Sequence, residues 1–369
     1  MKEVSRIRVL HVAPQPPPLG GMVTYIQGLL HSSLVKNVDM RVVRFDYLGK
    51  ERFSGLIRIV VNFLNAFILT AVFFSQSVYW RPDIVHIQTN SGLGFFEKSW
   101  IALLAKLLGC RTILHVHGGN FLEFYKKSPP IIQLIIGWCA KINDYIIAAS
   151  PQMCDTWLFI GLPKKKIVHI SNAVNLPVIK KRSKTGDVIT VLFLSRIVLE
   201  KGVIELIDAI SNLRRSMDNI CLRIVGVEEL ETAHVKKYLS KIQTDDYIKY
   251  VGPVSERQKH EEYLNADIFA FPTYVEEQSY AIMEAMSYGL PCIASNVGGV
   301  PSLIQDGQNG ILIPPKDLLG LILGLEKLVH DGELRNRLGL SARKRIEAEF
   351  TWERHANEMF TLYRSLIKR

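Results

Sequence analysis

Little in the chain marks a secreted, metal-stapled or low-complexity protein. Its 369 residues hold five cysteines, Cys110, Cys139, Cys154, Cys221 and Cys292, none of them in a Cys-x-x-Cys pair. An odd, scattered set argues against a disulfide framework or a structural zinc site and suits a reducing compartment. No Asp-x-Asp triplet occurs, so a common carboxylate clamp for a divalent metal is missing. Met1–Pro14 lacks the apolar core and small-residue cleavage site of a signal peptide, so a cytoplasmic location is expected. Acidic residues are scarce in the first half: residues 1–178 hold 19 Lys and Arg against 9 Asp and Glu, whereas residues 179–369 hold 26 of each. An excess of +10 confined to one half implies an anionic partner, such as a membrane surface, a lipid phosphate or nucleic acid, unless it serves solubility alone.

What is present is an α/β chain long enough for two domains. Short apolar, β-branched runs alternate with helical patterns throughout. In the first half the expected strands are Arg8–Ala13, Arg41–Phe45, Ile84–Gln88, Thr112–Val116, Tyr145–Ala149 and Ile167–Ser171. In the second they are Ile189–Leu194, Cys221–Val225, Ile248–Val251, Ile268–Phe271, Cys292–Ala294 and Ile311–Ile313. Continuous apolar strands are buried on both faces, which implies parallel sheets covered by helices. The basic stretch Pro177–Asp187 reads as a linker. The expected organisation is two Rossmann-like domains, 1–178 and 179–350, facing a central cleft. Residues 351–369 form an amphipathic helix carrying Trp352, Met359, Phe360, Tyr363 and Leu366, packing back toward the first domain. Ligands of such sheets bind beyond the carboxyl ends of the strands.

Several motifs fall at those ends. Leu194–Gly202 leads from a strand into a helix and carries Arg196 and Lys201, a fork and a point charge suited to a pyrophosphate. Glu276 and Glu284 bracket the start of a helix near Gln278–Ser279, whose free N–H groups favour a phosphate. Two carboxylates beside a phosphate make sense if Glu276 is aimed at hexose hydroxyls and Glu284 at a ribose. Gly20 and Gly21 follow the first strand and allow close backbone approach to a phosphate. His115 and His117 close another strand, and His117, next to Gly118, is the one expected to point into the cleft. Taken singly, each of these reads as an ordinary turn, surface charge or structural histidine.

Together, in this order, they resemble the retaining GT-B glycosyltransferases of family 4, the glycosyl transferase group 1 proteins. The resemblance runs through Gly20-Gly21, Pro82–His86, His117-Gly118, Ser150, Asn172, Arg196 with Glu200-Lys201-Gly202, and Val225-Gly226. It continues through Ala266-Asp267, Glu276…Glu284-Ala-Met, Gly298-Gly299, and Asp306-Gly with Asn309-Gly310. It implies that Arg196 and Lys201 hold the donor diphosphate, Glu276 the sugar and Glu284 the ribose. It also sets His117 near the sugar and Gly20-Gly21 near its phosphate. Glu277, Ser279 and Tyr280 join the donor-binding set. The chain departs from the family in carrying Glu277 where many members have glycine, a side chain that narrows the sugar pocket or touches the donor.

No metal or other cofactor is expected, and the departing diphosphate accepts the acceptor's proton. The expected partners are a nucleotide-sugar donor, a saccharide or lipid-linked saccharide acceptor of surface-polysaccharide assembly and an anionic membrane surface met by residues 1–178, with no nucleic acid. The enzyme then sits peripherally on the cytoplasmic face of an inner membrane. Two alternatives remain open: a nucleotide-sugar epimerase on the same fold, and a non-catalytic sugar-nucleotide-binding subunit. Gly55–Tyr79 adds one more feature, an unusually apolar helix whose Arg58, Asn62, Asn65 and Gln76 fall within about 80° of one another. It is either a helix buried against the sheet or one lying in a bilayer surface.

Overall fold

The computed structural model describes residues 6–16, 20–45, 55–179, 187–227 and 246–367. Linker residues 180–186, Pro17–Leu19 before Gly20 and the Arg58 side chain lie outside the described residues. The chain divides into two compact units, Met1–Ala173 with Trp352–Arg369, and Val174–Thr351.

In the first unit β1 (Ile7–Ala13), β2 (Val38–Arg44), β3 (Ile84–Thr89), β4 (Arg111–Val116), β5 (Tyr145–Ala148) and β6 (Ile167–His169) form one parallel sheet. The order is β2-β1-β3-β4-β5-β6. Helix α1 (Gly21–His31) carries the chain from β1 outward to β2. The chain then reverses through α2 (Gly55–Trp80), α3 (Leu93–Leu107), α4 (Phe121–Lys127), α5 (Pro130–Ile142) and α6 (Pro151–Phe159). Right-handed crossovers in opposite directions put α1 on one face of the sheet and the later helices on the other. Leu10, Val12, Val85, Ile87, Leu114 and Val116 pack with Leu69, Phe73, Phe95, Ile136 and Trp157 into the core on that second face. Alternate residues point the other way.

In the second unit β7 (Ile189–Leu194), β8 (Ile220–Val225), β9 (Ile248–Gly252), β10 (Ile268–Phe271), β11 (Cys292–Ser295) and β12 (Gly310–Ile313) are also parallel, in the order β12-β11-β10-β7-β8-β9. Its helices include α7 (Val203–Leu213), α8 (Glu256–Asn265), α9 (Tyr280–Ser287), α10 (Val300–Leu303), α11 (Leu318–His330) and α12 (Gly332–Glu349). Local chemistry sets several starts. Ser255 and Gln258 close a capping box on α8, and the carboxylates of Asp317 and Asp331 cap α11 and α12. All twelve expected strands are present, with ends moved by up to three residues at β2, where Val38 rather than Arg41 begins the strand.

The last helix, α13 (Trp352–Ile367), belongs to the first unit. It lies against α1, where a side chain at Gly28 would put a Cβ 1.8 Å from the Trp352 ring. Gly28 costs helix propensity but permits this approach. Beneath α1 and α13 runs a row of buried histidines on adjacent strands. The His11 and His86 rings are 4.9 Å apart, and those of His86 and His115 are 5.7 Å apart. Tyr25 of α1 meets His115 edge-on at 4.9 Å. From α13, the Tyr363 hydroxyl lies 2.8 Å from His86 Nδ1, and His355 donates through Nδ1 to the Ser171 carbonyl at 2.7 Å.

Burial keeps this row neutral. It lowers His11 to about 3 and His355 to about 4, and holds His86 and His115 well below the usual 6.5. The unfolded chain therefore binds protons that the folded chain refuses. Stability from this source is complete above pH 6.5 and is lost as pH falls toward the folded-state values, each histidine contributing a slope of at most about 1.4 kcal/mol per pH unit. We expect the urea midpoint of the protein to fall between pH 7 and pH 4.5, and the fall to be shallower in His115→Gln. Identical pH slopes in the two proteins would remove the row as its cause.

Candidate functional site

The second sheet reverses direction between β7 and β10, which pair directly. Such a switch point opens a crevice at the carboxyl ends of the strands. The two loops there are Ser195–Gly202 after β7 and Pro272–Ser279 after β10, and they hold Arg196, Lys201 and Glu276. The loops are stitched together: the Tyr274 amide donates to the Glu200 carbonyl at 2.7 Å, and the Thr273 hydroxyl lies 3.1 Å from the same oxygen. Across this seam Lys201 Nζ donates to Glu276 Oε2 at 2.8 Å and to the Val275 carbonyl at 3.2 Å. Both side chains are mostly covered, with 13% of Lys201 and 19% of Glu276 exposed. The ammonium also sits 5.6 Å from the centre of the Phe271 ring. A lysine has three N–H groups, so this arrangement leaves one N–H beyond Glu276 and Val275. Arg196 lies five residues before Lys201 in the same loop and is exposed.

Two glycines let the loops close. Gly202 adopts φ 72°, and a Cβ there would stand 2.0 Å from the Pro272 carbonyl oxygen. Gly298 adopts φ 49°, and a Cβ there would stand 1.8 Å from the Glu276 carbonyl oxygen. Positive φ and close approach together leave room for glycine alone.

Beyond Glu276, residues Glu277, Gln278 and Ser279 are buried, and the Ser279 side chain caps α9 by accepting from the Ile282 amide at 3.4 Å. Tyr280 is the first residue of α9, and Glu284 lies four residues further on. Glu277 is thus covered rather than displayed where the family often has glycine. The Glu284 carboxylate is held from α8: Lys259 Nζ donates to Oε1 at 3.0 Å and the Tyr263 hydroxyl to Oε2 at 3.0 Å. Lys259 also reaches Glu256 at 3.0 Å. Burial works against the Lys259 charge, but Glu284 and Glu256 outweigh it and raise its pKa. Burial and the Glu284 charge push the Tyr263 hydroxyl well above its ordinary value. Neither Lys259 nor Tyr263 was singled out from sequence. Their signal is weak, two residues four apart on one helix face, and nothing local ties them to Glu284 in α9.

In the first unit the expected residues also lie at carboxyl ends. Gly20 precedes α1 and Gly21 opens it; the Thr24 amide donates to the Gly20 carbonyl at 2.9 Å. His117 follows β4, and its Nε2 donates to Gln88 Oε1 of β3 at 2.6 Å. Its ring lies 4.0 Å from that of His115 and 5.1 Å from that of Tyr25. His115 is fully buried, whereas part of His117 reaches the surface. Burial and the neighbouring His355 lower His117 to about 3, so it acts near pH 7 as a neutral hydrogen-bonding group. Among the described residues no three His, Cys, Asp or Glu side chains are grouped to hold a metal ion. Two surface hollows, one lined by Thr190, Arg223 and Lys249 and the other by Arg8, Asp39 and Asp83, lie at the opposite, amino ends of the strands. They lack the helix N-termini and the Lys201–Glu276 pair that favour the carboxyl edges.

Two family models match in succession. "Glycosyltransferase Family 4" covers residues 19–177 and "Glycosyl transferases group 1" covers 177–345. The chain is 26% identical to a glycogen synthase of Mycobacterium tuberculosis over 290 residues, 77% of this chain and 69% of that one. It is 29% identical to a capsular polysaccharide biosynthesis glycosyltransferase of Staphylococcus aureus over 187 residues, about half of each protein. Among solved structures, sucrose-phosphate synthase from Thermosynechococcus elongatus superposes with a TM-score of 0.80 over 98% of this chain and all of that one, at 20% identity. These likenesses establish a GT-B fold with two parallel-sheet halves.

The close approach of Gly298 to Glu276 generates a test. Gly298→Ala should lower the unfolding free energy by about 1–3 kcal/mol. Gly307→Ala meets a similar φ of 70° but open space, so it should cost less. Equal losses, measured by urea unfolding, would mean that the Glu276 loop yields freely.

Proposed function

This chain belongs to the family 4, group 1 glycosyltransferases, and on that footing we propose that it moves a hexosyl-type sugar, with retention, from a nucleoside diphosphate to a hydroxyl of a lipid-linked saccharide. Use of a nucleotide sugar follows from the family. The sugar, the stereochemistry and the acceptor belong to the proposal. The observation that carries it is the Lys201–Glu276 pair bridging the two loops at the switch point of the second sheet.

Lys201 holds a cation and Glu276 a carboxylate within one hydrogen bond of each other. A diphosphate taking the remaining N–H of Lys201 sets the attached sugar beside Glu276, whose oxygens accept from sugar hydroxyls. As the bond from the anomeric carbon to the diphosphate oxygen breaks, charge grows on that oxygen, and Lys201, with Arg196 from the same loop, offsets it. The acceptor oxygen bonds to the anomeric carbon on the same face, and its proton passes to the departing diphosphate. Glu284, held in place by Lys259 and Tyr263, accepts from the ribose hydroxyls. Glu277, Ser279 and Tyr280 shape the start of α9 around the donor. For His117 and Gly20-Gly21 the roles follow the resemblance: His117 as a neutral partner of the sugar, the glycines beside its phosphate. The fixed cations supply the charge a metal would otherwise supply, so transfer proceeds without one.

The lipid-linked acceptor is supported by the basic first half and by apolar side chains exposed on its helices. We place the enzyme at the cytoplasmic face of an inner membrane, in surface-polysaccharide assembly, in keeping with its similarity to the capsular enzyme. Both family models describe glycosyl transfer, which favours this reading over an epimerase or a non-catalytic subunit.

Release of nucleoside diphosphate from a panel of nucleotide sugars, with and without lipid-linked acceptors, tests the proposal. Turnover should persist in excess chelator. Arg196→Ala and Lys201→Ala should each slow it by roughly a hundredfold, about 3 kcal/mol, while circular dichroism stays unchanged. Near-wild-type rates in both variants would sink the assignment. Titration with free nucleoside diphosphate separates the two glutamates: Glu284→Gln should weaken binding, while Glu276→Gln should bind normally and transfer slowly. The reverse pattern would show that their roles are exchanged.

A further inference from the structure

Helix α2 is amphipathic in an unusual sense. Its sheet-facing side buries Leu69 and Phe73 completely, and also covers the polar Asn65 and Ser77. Its outward side carries Phe63, Phe67 and Phe74, with 74%, 73% and 53% of each exposed. From Val60 to Trp80 there is no charged residue at all. The outward face of a surface helix is ordinarily charged and polar.

The pattern continues on its neighbours. Helix α3 packs beside α2, and α5 packs beside α3. On α5 the outward positions 131, 134, 135 and 138 are all apolar, with 71% of Leu134 and 57% of Trp138 exposed. On α3 Trp100 is half exposed. Three adjacent helices therefore present one broad apolar face. Basic residues stand at its margins: Arg81 follows α2, Lys126 lies in the last turn of α4 and Lys141 in the last turn of α5.

We infer that the outer face of α2, α3 and α5 docks on an anionic lipid bilayer, with the helices lying in its surface and not crossing it. The inference deepens the membrane contact proposed above by naming its surface and mode. Val60–Trp80 is long and apolar enough to span. Spanning would strip Leu69 and Phe73 from the sheet core, however, and those side chains have no exposed surface. A flat orientation keeps them packed and buries the phenylalanines among acyl chains, a contribution that salt does not screen. The basic margin adds an attraction to anionic headgroups that salt does screen. Charge also selects the occupant. A second copy meeting this face would bring together two halves that each carry an excess of +10, whereas anionic lipid complements it.

Sedimentation of the full chain with phosphatidylcholine vesicles, with and without phosphatidylglycerol, tests this in the absence of donor and acceptor, so the result is independent of whether the transferase reading stands. The wild-type protein should bind the anionic vesicles and retain part of that binding in high salt. Phe67→Asp on α2 and Trp138→Asp on α5 should each weaken binding by roughly tenfold or more. Leu340→Asp, at an exposed position of the second unit, should bind as wild type. Circular dichroism of each variant should match that of the wild-type protein. Undiminished binding by both face variants would overturn the inference. So would a self-association, seen by sedimentation equilibrium without lipid, that Phe67→Asp abolishes.

Discussion

The second half of this protein is organised around one ion pair that joins two loops. Lys201 and Glu276 are 75 residues apart in sequence and 2.8 Å apart in space. They meet because the chain leaves β7, builds β8 and β9 on one side, and returns to lay β10 against the other side of β7. Each partner alone would be an awkward, mostly covered charge. Paired, and anchored by the Val275 carbonyl, they give a site that carries both signs in fixed positions before any ligand arrives. The proposed donor, with a diphosphate at one end and hydroxyls at the other, matches that polarity.

The two halves solve related problems with opposite chemistry. In the second, opposite charges are paired: Lys201 with Glu276, and Lys259 with Glu284 and Glu256. In the first, the groups at the same end of the sheet are kept neutral by burial, with His115 sealed and His117 hydrogen-bonded to Gln88. Fixed charge suits a phosphate, and neutral donors suit a sugar.

The strands were legible because strands buried on both faces read as unbroken apolar runs, and every run here is short and bounded by turn residues. The site loops were legible because glycines and charges cluster where those runs end. The contact of Lys201 with Glu276 was not, since it depends on strand order, which no local pattern encodes. Lys259 and Tyr263 were missed for the same reason: their partner Glu284 belongs to a different helix. The apolar helix was legible in part. Its length and lack of charge stood out, but its narrow polar stripe did not say which side the sheet would cover: Asn65 faces the core, while Phe63 and Phe67 face outward. Helical spacing says which residues share a side, not which side the sheet will claim.

The placement of α13 bears on how the protein is made. The histidine row on the first sheet is covered in part by residues 352–367, which are synthesised only after the whole of the second unit. The unit whose synthesis starts first therefore cannot cover this face of its sheet until the second unit has been made, while the contiguous second unit is complete by Thr351. Domains ordinarily fold in the order of their synthesis. In this chain the order of completion is reversed, and the long-exposed sheet face is one lined with histidines, which water solvates far better than it would leucines.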